Sequence, residues 1–232
     1  MATNPGSIIF QGEIATRKDG KELAIYFRDK KEYFACKRAF DIIFSFIVIV
    51  AILSWLTPII GLLIILDSGG PVFFAQRRVG RNGRSFLCYK FRTMILNGDA
   101  DRLQAARNDK RITFIGNILR KSNLDELPQF FNVFIGDMSI VGPRPHMHSD
   151  YDKFSSLVKR YEFRSMVRPG ITGLAQIRGF SGPATDMESI FGRYQWDAFY
   201  VRNAGFLLDL RIMRKTMMQQ LRFGFNGLTV PV

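Results

Sequence analysis

Apolar positions are unevenly spread along the chain. From Ile42 to Leu66 no charged residue occurs, and Ser45, Ser54 and Thr57 are the polar interruptions. As a helix, about 25 residues extend roughly 37 Å, enough to cross a hydrocarbon core of ~30 Å. Thr57-Pro58 falls inside this run, where proline removes a backbone donor and bends a helix. Basic residues flank the run on both sides, with Lys30, Lys31, Lys37 and Arg38 before it and Arg77, Arg78, Arg81 and Arg84 after it. Positive charge favours the cytoplasmic side for both flanks. The pattern therefore predicts a re-entrant helix that enters one leaflet, bends at Pro58 and returns. A straight span and a buried soluble helix are the alternatives.

Elsewhere the pattern changes character. Residues 1–36 mix Gly, Lys, Asp and Glu with short apolar patches and read as an extension, followed by the membrane helix (37–66) and a cytoplasmic domain with interfacial helices (67–232). Turn residues Ser68, Gly69, Gly70 and Pro71 precede a strand at Val72-Phe73-Phe74; Gly80, Asn82 and Gly83 mark a hairpin-like turn into a second strand over Phe86–Phe91. Helices are expected over 99–107, from Ser122–Asp125 through Val133, and over 150–165. Leu207, Leu210, Met217 and Leu221 recur at helical spacing beside Arg211, Arg214, Lys215 and Arg222, as in a helix lying on an anionic membrane face or packed on the core. The fold class is α+β, mostly helical with a small antiparallel sheet.

Charge sharpens the picture. Lys and Arg number 33 against 20 Asp and Glu, a net charge of +13 over 232 residues. Such a surplus calls for anionic partners: nucleic acid, acidic lipids or phosphorylated substrates. Cys36 and Cys88 are too few for a disulfide framework. The first apolar run lies behind a polar segment of mixed charge, unlike a cleaved secretory signal.

The adjacent carboxylates Asp125-Glu126, beside Arg120 and Lys121, are the leading candidates for chemistry. In the first turn of a helix they would meet unpaired N–H groups that also favour a bound phosphate. One carboxylate could attack phosphorus while its neighbour holds Mg²⁺. Acidic residues in a first helical turn are equally ordinary capping chemistry.

Context adds to this. The segment Arg120-Lys121-Ser122-Asn123-Leu124-Asp125-Glu126-Leu127-Pro128-Gln129 resembles the signature of the bacterial sugar transferases, the monotopic phosphoglycosyl transferases that prime exopolysaccharide synthesis. Lys37-Arg38-Ala39-Phe40-Asp41, Thr57-Pro58, Pro71 to Gln76 and Tyr89 to Met94 extend the resemblance upstream. Phe131-Asn132-Val133, Gly136 to Ser139, Val141 to Pro145, Arg168 to Gly173 and Leu207 to Leu210 extend it downstream. It implies a monotopic enzyme on the cytoplasmic face of the bacterial inner membrane, acting on a UDP-sugar and undecaprenyl phosphate. Asp125 would attack the β-phosphate and expel UMP, and the polyprenyl phosphate would then take the sugar phosphate from Asp125. Glu126 would hold Mg²⁺, and Lys90, Arg120 and Arg144 match basic substrate-binding positions. Asp209 matches an acidic position near the site. The resemblance favours a UDP-hexose such as glucose or galactose and leaves a homo-oligomer open.

Three departures stand out. Asn123 replaces the usual Ser or Thr, and Thr57 the usual Ser before the bend proline. Ser181 stands where many relatives carry Arg, which would weaken or alter donor binding. His146 and His148 lack a carboxylate or Cys at ligand spacing and read as solvent-facing. Arg77, Arg78, Arg81 and Arg84 read as a membrane-surface patch. A nucleic-acid-binding module would leave Ile42–Leu66 unexplained, so no nucleic-acid partner is expected. A catalytically silent scaffold would have no need of Asp125, Glu126, Lys90 and Arg120.

Overall fold

A computed structural model describes residues 28, 30–96, 109–182 and 186–227. The chain separates into two units, Met1–Lys37 and Arg38–Val232. The helix expected over 99–107 lies outside the described residues.

The apolar run forms helix α1 (Lys31–Val48), a π-helical stretch (Ile49–Leu53) and helix α2 (Ser54–Ser68). The break expected at Pro58 is displaced: α2 runs through the proline, and the wide turn comes one helical turn ahead of α2's own proline turn. Pro58 has no N–H for the carbonyl one turn back and its ring crowds that carbonyl, which a widened turn upstream relieves. Two side chains satisfy the disturbed carbonyls there, Ser54 Oγ donating to Val50 O and the Trp55 indole N–H to Ala51 O at 2.8 Å. Internal satisfaction of this kind is what an apolar solvent demands.

The helical stretch from Arg38 to Asp67 lies along the rest of its unit. Arg38 donates to Val133 O and Phe134 O at 2.6 and 2.8 Å, and Asp41 Oδ1 accepts from Ile140 N at 3.0 Å. At the far end Asp67 Oδ2 accepts from Ile115 N at 3.0 Å. Between these anchors Leu53, Ile60 and Ile64 pack with Phe91 and Leu119 in one cluster. The opposite face stays exposed and apolar, with Ile43, Ile47, Trp55, Leu62 and Leu66.

Strands β1 (Phe73–Val79) and β2 (Ser85–Phe91) pair antiparallel in the register Phe73↔Phe91 to Val79↔Ser85. Alternation and turn residues in the sequence anticipated this hairpin, in which Asn82 takes the left-handed conformation at φ 56°. The fold is α+β, mostly helical with this small antiparallel sheet. A second sheet was not expected: β3 (Ser139–Val141) and β4 (Gly170–Thr172) pair in parallel.

The expected helix from Ser122 through Val133 is divided. Helix α3 (Phe114–Ser122) ends at Asn123, a left-handed C-cap at φ 56°, ψ 17°. A 3₁₀ turn, Leu124–Glu126, follows, and helix α4 (Gln129–Ile135) begins after Pro128. Asn123 therefore closes one helix rather than opening another, a role its tolerance of positive φ suits. Asp125 and Glu126 accordingly sit in a tight turn between helices, not at the start of one.

The helix expected over 150–165 is also shorter, because α5 (His148–Leu157) stops before Arg160, which is left-handed at φ 63°. A 3₁₀ segment, Tyr161–Met166, replaces its second half. Short helix α6 (Leu174–Ile177) leads into α7 (Met187–Asn203) and α8 (Phe206–Gly227). On α8, Asp209 and Ile212 are buried, while Leu207, Leu210, Met217 and Leu221 are exposed. That outward apolar row, with Arg211, Arg214 and Lys215 beside it, has the makeup of an interfacial helix.

Candidate active site

The expected site residues from four segments meet at a cavity of about 450 Å³, within the range of small-molecule sites. Asp125 and Glu126 enter from the 3₁₀ turn, Lys90 from β2, Arg120 from α3 and Arg144 from the loop after β3. Among the described residues the lining holds the cations Arg78, Lys90, Arg92, Arg111, Arg120, Arg144 and Arg193 against the carboxylates Asp125, Glu126 and Asp150. That imbalance suits a polyanionic ligand.

Local structure explains each placement. Asn132, fully buried on α4, accepts from Tyr89 N at 2.9 Å and donates to Leu87 O at 2.6 Å, acting as a side-chain partner to β2. This fixes the strand edge that carries Lys90. Arg144 is placed by a join that only glycine permits. A Cβ on Gly142 would stand 2.4 Å from Arg168 O, and one on Gly170 would stand 2.1 Å from Gly142 N. From behind, Arg164 donates to Arg144 O at 2.6 Å and is itself ion-paired with buried Asp197 at 2.8 Å. Arg120 is steadied by its Nε donating to Thr93 Oγ1 at 2.8 Å.

The two carboxylates differ sharply. Glu126 Oε1 takes both Lys90 Nζ and Arg144 Nη2 at 2.6 Å, and Oε2 takes Arg144 Nη1 at 3.1 Å. Asp125 is 8% exposed, and among the described residues no hydrogen bond or ion pair engages its carboxylate. Burial raises the Asp125 carboxyl above its ordinary range, with Lys90 pulling it down and Glu126 pushing it up. Burial would likewise raise Glu126, but Arg144 and Lys90 outweigh it and hold that carboxyl well below the usual range. One carboxylate is thus held toward its charged form and committed, and its neighbour is more basic and uncommitted.

The structure does not bring every expected residue here. Asp209 lies on the buried side of α8, where Tyr200 donates to its Oδ1 at 2.8 Å, and it is not among the residues lining the cavity. His146 is buried rather than solvent-facing: its Nδ1 lies 2.9 Å from Tyr161 Oη, and its Nε2 is 3.3 Å from Arg193 Nη1. Burial and the cations Arg164 and Arg193 push its pKa well down, so it stays neutral. His148 is exposed and pairs with Ser85 Oγ at 3.0 Å. Arg78 turns inward instead of joining a surface patch, donating to Pro145 O at 2.7 Å and to Gln76 Oε1. Its alternation with Phe74 and Gln76 on β1 was the available signal, since every second strand residue shares a face. Ser181 does line the cavity, beside Gly182 and Arg193. Arg193 carried no local signal, because α7 reaches the site from far along the chain.

Comparison with known proteins gives the family. The family described as "Bacterial sugar transferase" matches residues 32–223. The chain is 42% identical over 184 residues to a UDP-glucose:undecaprenyl-phosphate glucose-1-phosphate transferase of Klebsiella pneumoniae, covering 79% of this chain and 39% of that protein. It is 40% identical over 186 residues to a UDP-N-acetylgalactosamine-undecaprenyl-phosphate N-acetylgalactosaminephosphotransferase of Aeromonas hydrophila, covering 80% and 43% respectively. It thus spans about two-fifths of the length of these larger relatives. An exopolysaccharide production protein, PSS, of Rhizobium leguminosarum bv. phaseoli is 43% identical over 196 residues, covering 81% of this chain and 96% of that one. On the extent of these matches and the residues that carry them, the chain belongs to the bacterial sugar transferase family.

Proposed function

We propose that this chain transfers a sugar 1-phosphate from a UDP-sugar to undecaprenyl phosphate in two steps through Asp125. The observation that carries the reading is the contrast within the dyad: Glu126 is held by three charge-assisted bonds, while the buried Asp125 carboxylate is uncommitted. In the first step an Asp125 oxygen attacks the β-phosphorus, an acyl phosphate bond forms, and the bond to the α-phosphate oxygen breaks to release UMP. In the second step a phosphate oxygen of undecaprenyl phosphate attacks the same phosphorus. The acyl phosphate bond breaks, the aspartate is restored, and a diphosphate-linked sugar leaves with the lipid. Lys90, Arg120 and Arg144 supply fixed positive charge where the transferring phosphoryl group carries negative charge.

Mg²⁺ fits the donor chemistry in one respect. A carboxylate offers about four lone-pair directions, and Glu126 uses three of them here. The remaining one on Oε2, with the donor phosphates, matches the habit of Mg²⁺ of taking few protein ligands. Such an ion would neutralise diphosphate charge. Among the described residues no cluster of three His, Cys, Asp or Glu offers an all-protein metal site.

The exposed apolar face of α1 and α2 would sit in the cytoplasmic leaflet of the bacterial inner membrane as a re-entrant element, with α8 lying on the surface. A hexose, glucose foremost, is the proposed sugar, since several relatives carry UDP-glucose in their names. The test is UMP release by the full chain in nanodiscs from a panel of UDP-sugars, with Mg²⁺ and undecaprenyl phosphate. Release with one sugar that depends on Asp125 supports the reading. Folded protein that releases no UMP from any donor overturns it.

A further inference from the structure

Two arginines line the cavity while staying more than nine-tenths buried and outside the Glu126 pairing, Arg92 at 4% and Arg193 at 7% exposure. Arg193 has Asp197 close enough to offset its charge. Arg92 differs. Its Nε donates to Pro71 O at 2.7 Å and its Nη2 to Gly69 O, both neutral carbonyls, and among the described residues no carboxylate pairs with it. Its Nη1 is buried, and among the described residues no acceptor meets it. Capping the carbonyls that follow α2 accounts for Nε and Nη2, but leaves Nη1 with a desolvated charge and an unused donor. Gly70 lies beside that nitrogen: a Cβ there would stand 3.8 Å from Nη1 and 3.3 Å from Leu96 Cδ1, tighter than ordinary contact with the side chain that forms the rim.

The surroundings say what kind of anion belongs there. Gly69 and Pro71 directly follow α2, so the guanidinium is fastened to the point where the apolar helix ends. Next to it the cavity wall is Met94, Ile95 and Leu96, the last two exposed at 51% and 68%. A sugar nucleotide or a free phosphate has no use for such a wall, whereas a phosphate monoester on a long hydrocarbon tail would use both the charge and the wall. We propose that Arg92, with the Ile95–Leu96 rim, is the subsite that receives the phosphate of the lipid acceptor before it reaches Asp125. The inference rests on the proposed transfer to a lipid phosphate, and it divides the cavity. The donor diphosphate lies at Lys90, Arg120 and Arg144, and the acceptor enters from the end of α2.

Binding can be read apart from turnover. Full-length protein in zwitterionic nanodiscs should gain thermal stability from undecaprenyl phosphate and not from undecaprenol, and Arg92→Gln and Arg92→Lys should lose that gain. An equal gain in wild type and both variants overturns the proposal, whether or not any UDP-sugar is turned over. A gain that appears only when bulk anionic phospholipid is added means that Arg92 reads ordinary headgroups, and also overturns it. In the active protein the variants should raise the KM for undecaprenyl phosphate by about tenfold or more, as loss of a charge-assisted contact predicts. The lipid-independent burst of UMP and the KM for the UDP-sugar should stay within about twofold, a pattern that a merely structural role for Arg92 would not give. If Arg92→Gln fails to fold, Leu96→Asn serves, its side chain being exposed. That variant should raise only the lipid KM and leave inhibition by inorganic phosphate unchanged; an unaltered lipid KM overturns the proposal.

Discussion

Glu126 and Arg144 meet as two planar forks, Nη2 on Oε1 at 2.6 Å and Nη1 on Oε2 at 3.1 Å. Lysine cannot reproduce this geometry, because its ammonium is a point charge without a fixed second donor. Arg144→Lys should therefore lower turnover by about 10²-fold, the scale of losing one aligned transition-state donor. Rates within a factor of two of wild type would show that charge alone is enough.

Asp125→Asn should abolish UMP release and any covalent sugar-phosphate adduct, and it should also stabilise the fold. Burial raises this carboxyl in the folded chain above its ordinary value of 3.8. The folded state therefore loses stability as pH climbs from the unfolded value through the folded one, and the loss persists at neutral pH. Asparagine carries no charge, so its melting temperature should exceed that of wild type at pH 7 and converge with it in acid. A lower melting temperature at pH 7 would contradict the strained-carboxylate picture.

Lys90 opposes the effect of burial on Asp125. Its removal in Lys90→Met leaves burial and the Glu126 charge to raise the nucleophile's pKa further. Because attack needs the ionised form, the acidic limb of the UMP-release profile should move to higher pH. An unmoved limb, with the rate merely scaled down, would assign Lys90 to substrate binding only.

Glu126→Gln removes the negative charge and one of the two acceptor oxygens available to a cation, and it breaks both ion pairs, to Lys90 and to Arg144. Residual activity should titrate with Mg²⁺ at a clearly higher midpoint, and the acidic limb should shift to lower pH because a negative neighbour of Asp125 is gone. An identical Mg²⁺ titration would place the ion on the substrate alone.

The Arg164–Asp197 pair, with side chains 3% and 2% exposed, supports Arg144 from behind. Asp197→Ala strands a buried guanidinium and should cost about 3–5 kcal/mol in unfolding free energy. Denaturant melts would test this, and a change below 1 kcal/mol would mean that water reaches the pair.

Much of this was legible in the sequence for identifiable reasons. The long helix announced itself by composition, and the Phe73–Phe91 hairpin by alternation and its turn. Asp125-Glu126 stood out through their neighbours Arg120 and Lys121. What stayed hidden depends on contacts distant in sequence. Strands β3 and β4 are three residues each, too short for periodicity, and exist because glycine backbones at 142 and 170 touch. Asp209 shares the acidic character of the site, yet it is spent on Tyr200. The division of Ser122–Val133 hinged on one left-handed asparagine, since Asn caps either end of a helix.

The apolar helix is fastened at both ends to one body, through Arg38 and Asp41 at one end and Asp67 at the other. Such an element cannot be stretched or tilted independently of the cavity it supports. On the proposed placement, a thicker or thinner bilayer would move helix and dyad together as a single float. The height of Asp125 above the acyl chains would be set by the protein and not by the lipid.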